Sequence, residues 1–288
     1  LIKLTGNARF ARDAYRRLIN MFGDVVMGME HEDFEDEFDL VKKKFGVELD
    51  TELSAEGLEE VCNRYKKAYK KHVGSAFPQD PYKQLSLSIE AVFKSWNTHR
   101  AKSYRQINGI VGLKGTAVNV QAMVFGNMGT DSGTGVAFTR NPSTGEDKFF
   151  GEFLIDAQGE DVVAGIRTPK PVSEMPKWNN RIFKELLKNK KTLENHYRDI
   201  QDIEFTIERG KLWMLQTRSG KRTAAASVKI AVDMVKSRHI NKDEALLRIP
   251  AGDLVQLLLP SFTSKSKNKV TTLAKGLPAS PGAATGTD

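Results

Sequence analysis

Two carboxylates two positions apart, Asp202 and Glu204, and a side-chain amide further on, Gln216, are the residues of this chain whose types and spacing suggest chemistry. They belong to "DIEFTIERGKLWMLQTR", Asp202 to Arg218, in which Asp202, Glu204 and Thr206 alternate with Ile203, Phe205 and Ile207. Such alternation predicts a strand with one polar and one apolar face. It resumes after Gly210, with Leu212, Met214 and Gln216 against Trp213, Leu215 and Thr217, so a hairpin is expected. A three-residue loop of Glu208, Arg209 and Gly210, with Gly210 left-handed, pairs Ile207 with Lys211 and sets Asp202 opposite Gln216. A two-residue loop turns Gln216 to the other face. The three-residue register gathers Asp202, Glu204 and Gln216 on one surface, with Arg218 one step beyond. Hard oxygen donors of this kind suit Mg²⁺ when substrate phosphates complete its shell. The competing reading is a solvated polar face of an antiparallel sheet.

A second stretch, "GNMGTDSGTGVAFTRNPSTGE" from Gly126 to Glu146, concentrates glycines with Ser132 and Thr134 ahead of a strand. Glycines let backbone N–H groups approach an anion and hydroxyls add donors, so the stretch is expected to cover a polyphosphate, with Arg140 placed to pair with it. It fits neither the Walker spacing nor GxGxxG, and a structural glycine-rich hairpin is the alternative. His31, His72, His99, His196 and His239 show no metal-ligand spacing, and Cys62 sits in an amphipathic helical stretch as a packing residue.

The elements that must hold these residues follow from period and punctuation. Helices are expected through Phe10, Ala14, Leu18 and Phe22 before Gly23; through Phe34, Phe38, Val41 and Phe45 before Gly46; and through Leu58, Val61, Tyr65, Ala68 and His72 before Gly74, each glycine reading as a C-cap. Asp80 and Pro81 open a fourth, through Leu85, Ile89, Val92 and Trp96. From about Gly115 the period becomes that of strands, in "TAVNVQAMVFG", around Val136 to Thr139 and from Phe149 to Ile155. A helix through Phe183, Leu186, Leu193, Tyr197 and Ile200 precedes the hairpin, and Asn241 with Glu244 forms a capping box. The expected class is α+β.

At 288 residues the length suggests about two domains. The net charge of +8 suits nucleic acid, an acidic membrane surface or a phosphate-rich small molecule, but the lysine runs are interleaved with acids and read as solvated helix faces. A basic module binding nucleic acid would need interleaved aromatics, which those runs lack. One cysteine allows no intrachain disulfide, and no stretch approaches the roughly 18 apolar residues of a membrane span. A reducing, soluble compartment is favoured, with no nucleic acid and no membrane as partner. A start at Leu1 and an end in "SPGAATGTD" read as part of a larger polypeptide.

Five stretches carry a resemblance: "LTGNARFARDAYRRL", "LKGTAVNVQAMVFGNMGTDSGTGVAFTRNPSTGE", "GEFLIDAQGEDVVAGIRTP", "DIEFTIERGKLWMLQTRSGKR" and "GLPASPGAATG". Together they resemble the nucleotide-binding part of the pyruvate, phosphate dikinases over nearly the whole chain. Phosphoenolpyruvate synthases share the general scheme without the long "SGTGVAFTRNPSTGE" wording and are the alternative. The resemblance implies an ATP-grasp fold with an inserted helical subdomain at 1–78, a nucleotide-binding region at 79–222, a helical linker at 223–270 and the start of a phosphohistidine domain at 271–288. It implies transfer of the β-phosphoryl group of ATP to a histidine of the following domain. The overall reaction would take ATP, inorganic phosphate and pyruvate to AMP, pyrophosphate and phosphoenolpyruvate. Carried over by position, Asp202, Glu204 and Gln216 resemble the metal and catalytic set. Thr134 and Gly135 resemble the phosphate-covering loop, assisted by Ser143. Gln121 and Met123 fall at the adenine hinge strand, and Glu160, Asp161 and Arg218 resemble its supporting polar cluster. A first-lobe lysine and arginine would precede Leu1, and the phosphohistidine would follow Asp288. The parent enzyme is expected as a homodimer in the cytoplasm, or in an organelle such as a plastid or glycosome, using Mg²⁺ and ATP.

Overall fold

In the computed structural model, which describes residues 1–164 and 167–257, Leu1–Ala122 form one compact unit and the chain from Met123 forms a second. The first unit is helical: α1 (Ile2–Thr5), α2 (Ala8–Met21), a π turn at Phe22–Val26, α3 (Glu32–Phe45), α4 (Ala55–Val73), α5 (Pro81–Ser95) and α6 (His99–Ile107). Side chains explain the boundaries. Asn7, Ser54, Asp80 and Thr98 accept hydrogen bonds from the first-turn amides of α2, α4, α5 and α6, and Gly46 and Gly74 end α3 and α4 with φ of 68° and 79°. Gly23 behaves differently from the expected cap. It lies inside the π turn, where an added Cβ would come within 2.4 Å of the Phe34 ring, so its role is to let α3 approach.

The core of this unit joins α2, α3 and α4 through Ile19, Phe22, Phe34, Phe38, Val41, Leu58, Val61, Tyr65 and Tyr69. Phe34 meets Tyr65 edge-on at 4.9 Å. The expected stripes are right in phase but not at every position, because Leu18 (41% exposed) and Phe45 (39%) point outward. Their place in the core goes to Ile19, Tyr69 and Cys62, whose burial pushes the thiol up to about 11. The expected subdomain of 1–78 is thus the packed heart of a unit that runs to Ala122. The strand expected in "TAVNVQAMVFG" is absent: residues 117–125 pair with no sheet, and Val120 is 64% exposed. Alternation specifies a strand only where a sheet edge offers it hydrogen bonds.

The second unit is an antiparallel sheet of β1 (Gly133–Phe138), β2 (Phe150–Ile155), β3 (Lys170–Pro171), β4 (Gln201–Glu208) and β5 (Lys211–Ser219), in the order β3-β2-β1-β4-β5. Helix α7 (Gly159–Ala164) follows β2, and α8 (Met175–Tyr197) precedes β4. Met175, Ile182 and Leu186 of α8 pack on Ala137, Phe153, Ile203, Phe205 and Ile207, so the odd-numbered positions of β1 and β4 face this helix. Helices α9 (Ala224–Lys236), α10 (Lys242–Leu247) and α11 (Ala251–Leu257) follow, with Ile230 and Met234 of α9 packed on Ile200 and Phe138. Asn241 and Glu244 form the expected capping box of α10. The expected linker beyond Leu257 and the expected start of a further domain at 271–288 lie outside the described residues. Among the described residues no helix is long and apolar enough to cross a membrane.

Inside the helical unit, Asp13 binds Arg16 at 2.8 Å and Arg17 at 3.2 Å, and Arg16 also reaches Asp50 at 3.2 Å and lies over the Phe38 ring. Burial would raise the Asp13 carboxyl, but Arg16, Arg17 and Arg9 together outweigh it and hold the group below the usual carboxylate range. A depressed folded pKa stabilises above the unfolded value of about 3.9 and stops doing so as pH falls through the folded one. Asp13→Asn, which leaves buried Arg16 with Asp50 as its one remaining counter-charge among the described residues, should cost about 3 kcal/mol at pH 7. The gap to the native protein in urea titrations should narrow steadily below about pH 4. Tyr65 makes the opposite case: its buried hydroxyl has no hydrogen-bond partner among the described residues. Tyr65→Phe keeps the ring contacts and should raise stability by about 1 kcal/mol in the same titration.

Candidate functional site

The β4–β5 hairpin departs from its expected register twice, and the departures cancel. Glu208 pairs with Lys211, leaving a two-residue loop of Arg209 and Gly210 with φ of 48° and 70°. Both values are positive, as the tight turn matched to the twist of a hairpin requires. The expected three-residue loop is therefore wrong. Continued unbroken, the pairing would set Gln216 against Ile203, on the face under α8. Instead Phe205 pairs with Met214 and Glu204 with Gln216, so Leu215 is an extra residue, a β-bulge. Beyond it Asp202 stands opposite Arg218. Asp202, Glu204, Gln216 and Arg218 share the face turned away from α8.

Arg218 binds both carboxylates, with Nε 2.7 Å from Asp202 Oδ2 and Nη2 3.2 Å from Glu204 Oε1. The hydrogen bond to Asp202 raises the guanidinium above its ordinary value. Side-chain exposure rises outward, from 15% at Asp202 to 36% at Glu204 and 57% at Arg218. The same face carries Val136 and Glu152 in the row of Glu204 and Gln216. Glu152 is a third carboxylate that the sequence reading missed, although the alternation of "FGEFLI" could have flagged it. Among the described residues no trio of His, Cys, Asp and Glu is close enough to hold a metal ion. Two carboxylates and an amide on one face still suit Mg²⁺, provided phosphate oxygens complete its shell.

The other expected site residues lie elsewhere or do other work. Thr134 and Gly135 form no loop: they lie within β1, at the centre of the sheet. Thr134 Oγ1 is buried and donates to the Phe205 carbonyl at 3.2 Å. A Cβ on Gly135 would stand 2.5 Å from the Phe205 ring and 2.6 Å from the Glu152 carbonyl, so this glycine serves strand packing. Arg140, expected at phosphate, is buried and grips Glu194 of α8 through Nε at 3.0 Å and Nη2 at 3.2 Å, with Asp147 at 3.5 Å. Neither partner was foreseen; Glu194 is remote in sequence and belongs to another element. Ser143 lies in an exposed turn whose carbonyl accepts from Thr223, the N-cap of α9. Asp161 of α7 accepts from the backbone N–H of Gln158 just before that helix, which follows the Ile155 end of β2, whereas Arg218 sits at the Asp202 end of the ladder, so the expected Glu160, Asp161 and Arg218 cluster does not assemble. Gln121 and Met123 are exposed and lie in no strand.

Removing the Glu194 charge leaves buried Arg140 with only the more distant, exposed Asp147 as counter-charge, so Glu194→Gln should cost about 3 kcal/mol, the low end for a broken buried pair. The double replacement Arg140→Met with Glu194→Leu should cost far less, and urea titration of the three proteins checks this.

Residues 37–176 and 171–239 match the family model described as pyruvate phosphate dikinase, AMP/ATP-binding domain. The chain is 56% identical over 278 residues to a chloroplastic pyruvate, phosphate dikinase of Mesembryanthemum crystallinum, covering 96% of this chain and 29% of that protein. It is 55% identical, with the same coverage, to pyruvate, phosphate dikinase 1, chloroplastic, of Arabidopsis thaliana. The pyruvate, phosphate dikinase of Rhizobium meliloti is 56% identical over 293 residues, 98% of this chain and 32% of that protein. The chain thus spans just under a third of the length of these relatives.

Proposed function

The chain belongs to the pyruvate phosphate dikinase AMP/ATP-binding domain family, and from that premise we propose that it is the ATP-binding part of a larger pyruvate, phosphate dikinase. In this reading the sheet is a lobe of an ATP-grasp fold, the helical unit is its inserted subdomain, and the β-phosphoryl group of ATP passes to a histidine of another domain. Phosphate and pyruvate are the further substrates of the whole enzyme, which makes AMP, pyrophosphate and phosphoenolpyruvate.

The observation that carries this is the bulge at Leu215, which sets Gln216 against Glu204 and Arg218 against Asp202 on one half-exposed face. Asp202 and Glu204 would hold Mg²⁺ bound to the phosphate chain. The Gln216 amide would orient a phosphate oxygen, and the Arg218 fork matches two phosphate oxygens at once. A bound magnesium ion supplies neutralisation of the charge that develops as the phosphoryl group leaves. Thr134, already hydrogen-bonded inside the sheet, has no part in this scheme beyond holding β1 against β4.

In the whole enzyme, Glu204→Ala should lower autophosphorylation by Mg-ATP on the order of 10²–10³-fold, the range for removing one aligned stabilising group. Exchange of the phosphoryl group between phosphohistidine and pyruvate should change little, because it proceeds away from this face. Rapid-quench measurement of the two half-reactions decides it, and equal loss in a folded variant would remove Glu204 from the ATP site.

A further inference from the structure

Arg218 stands where a metal ion would have to stand. One guanidinium, 2.7 Å from Asp202 and 3.2 Å from Glu204, neutralises both carboxylates that the proposed site requires. The pairing is built into the ladder, since Asp202 and Arg218 are direct cross-strand partners beyond the bulge.

We propose that Arg218 is a built-in competitor of the divalent cation: it occupies Asp202 and Glu204 until the phosphate chain of a nucleotide draws its guanidinium away. This rests on the reading of the face as the ATP site. The competition follows from charge and reach. A guanidinium and a divalent cation cannot share two carboxylate oxygens without close like-charge repulsion. Free metal must therefore displace Arg218 with nothing to receive it. A phosphate chain changes that, because it offers the fork two oxygens in place of the two carboxylates. Arg218 is 57% exposed, so its side chain can swing while β5 stays in register. Metal and nucleotide are then linked reciprocally, each raising the affinity for the other. Free divalent cations would load the face poorly, and the metal–nucleotide complex would load it well.

Binding of Mn²⁺ to the 288-residue chain, read from the free-ion electron paramagnetic resonance signal, tests this without any turnover. Arg218→Met should bind Mn²⁺ alone at least about tenfold more tightly than the native chain. Arg218→Lys, which keeps the charge and loses the fork, should fall between them. Arg218→Met combined with Glu204→Gln should lose the gain, showing that the carboxylates carry it. Circular dichroism verifies that each variant is folded. Affinities of Arg218→Met and native chain within about twofold, for metal alone, would overturn the proposal. A non-hydrolysable ATP analogue should raise the Mn²⁺ affinity of the native chain more than that of Arg218→Met. A tenfold gain in Arg218→Met with no effect of the analogue on the native chain would support the competition and refute the ATP reading of the face.

Discussion

A single extra residue in an edge strand decides what this sheet presents. The two-residue turn at Arg209 and Gly210 fixes the start of the β4–β5 ladder, and on its own would carry Gln216 and Arg218 to the face under α8. Leu215 breaks the ladder and returns both to the side of Asp202 and Glu204. A slip of one residue inverts every side chain of a strand, so the bulge acts on all positions beyond it at once. The apolar half of the hairpin, pinned by Phe205 and Ile207 against α8, gives this geometry a fixed base.

Much of this was legible in the sequence, though not for the reasons first available. Alternation correctly separates Asp202 and Glu204 from Ile203 and Phe205, and the two carboxylates and the amide do share a face. The route differs: sequence favours a three-residue loop, whereas the chain uses a shorter turn and a bulge. A bulge leaves little trace in composition, because Leu215 continues the apolar run of Leu212, Trp213 and Met214 and is marked only by its missing partner. Gly133 and Gly135 mislead in another way. Glycine is needed equally for an anion-binding loop and for a strand crowded by Phe205 and Phe153, and the sequence around it does not separate the two.

Helix ends were more readable than helix faces. Caps are local, so Asp80 and Asn241 declare themselves within a few residues. Faces depend on partners distant in sequence. In α2 the buried side includes Asp13 and Arg16, charged residues that periodicity assigns to solvent, while Leu18 is left outside. Arg140 belongs to the same class. Its partner Glu194 lies in another element, and only the folded chain reveals that the guanidinium is already committed.

That buried pair also gives the sheet unit a particular response to temperature. Removing charges from water becomes less costly on warming, because hydration of ions carries a strongly negative entropy. The apolar contacts between α8 and the sheet do not keep strengthening in the same way. The corner where Arg140 ties the turn after β1 to the C-terminal part of α8 therefore holds a growing share of the local stability as temperature rises.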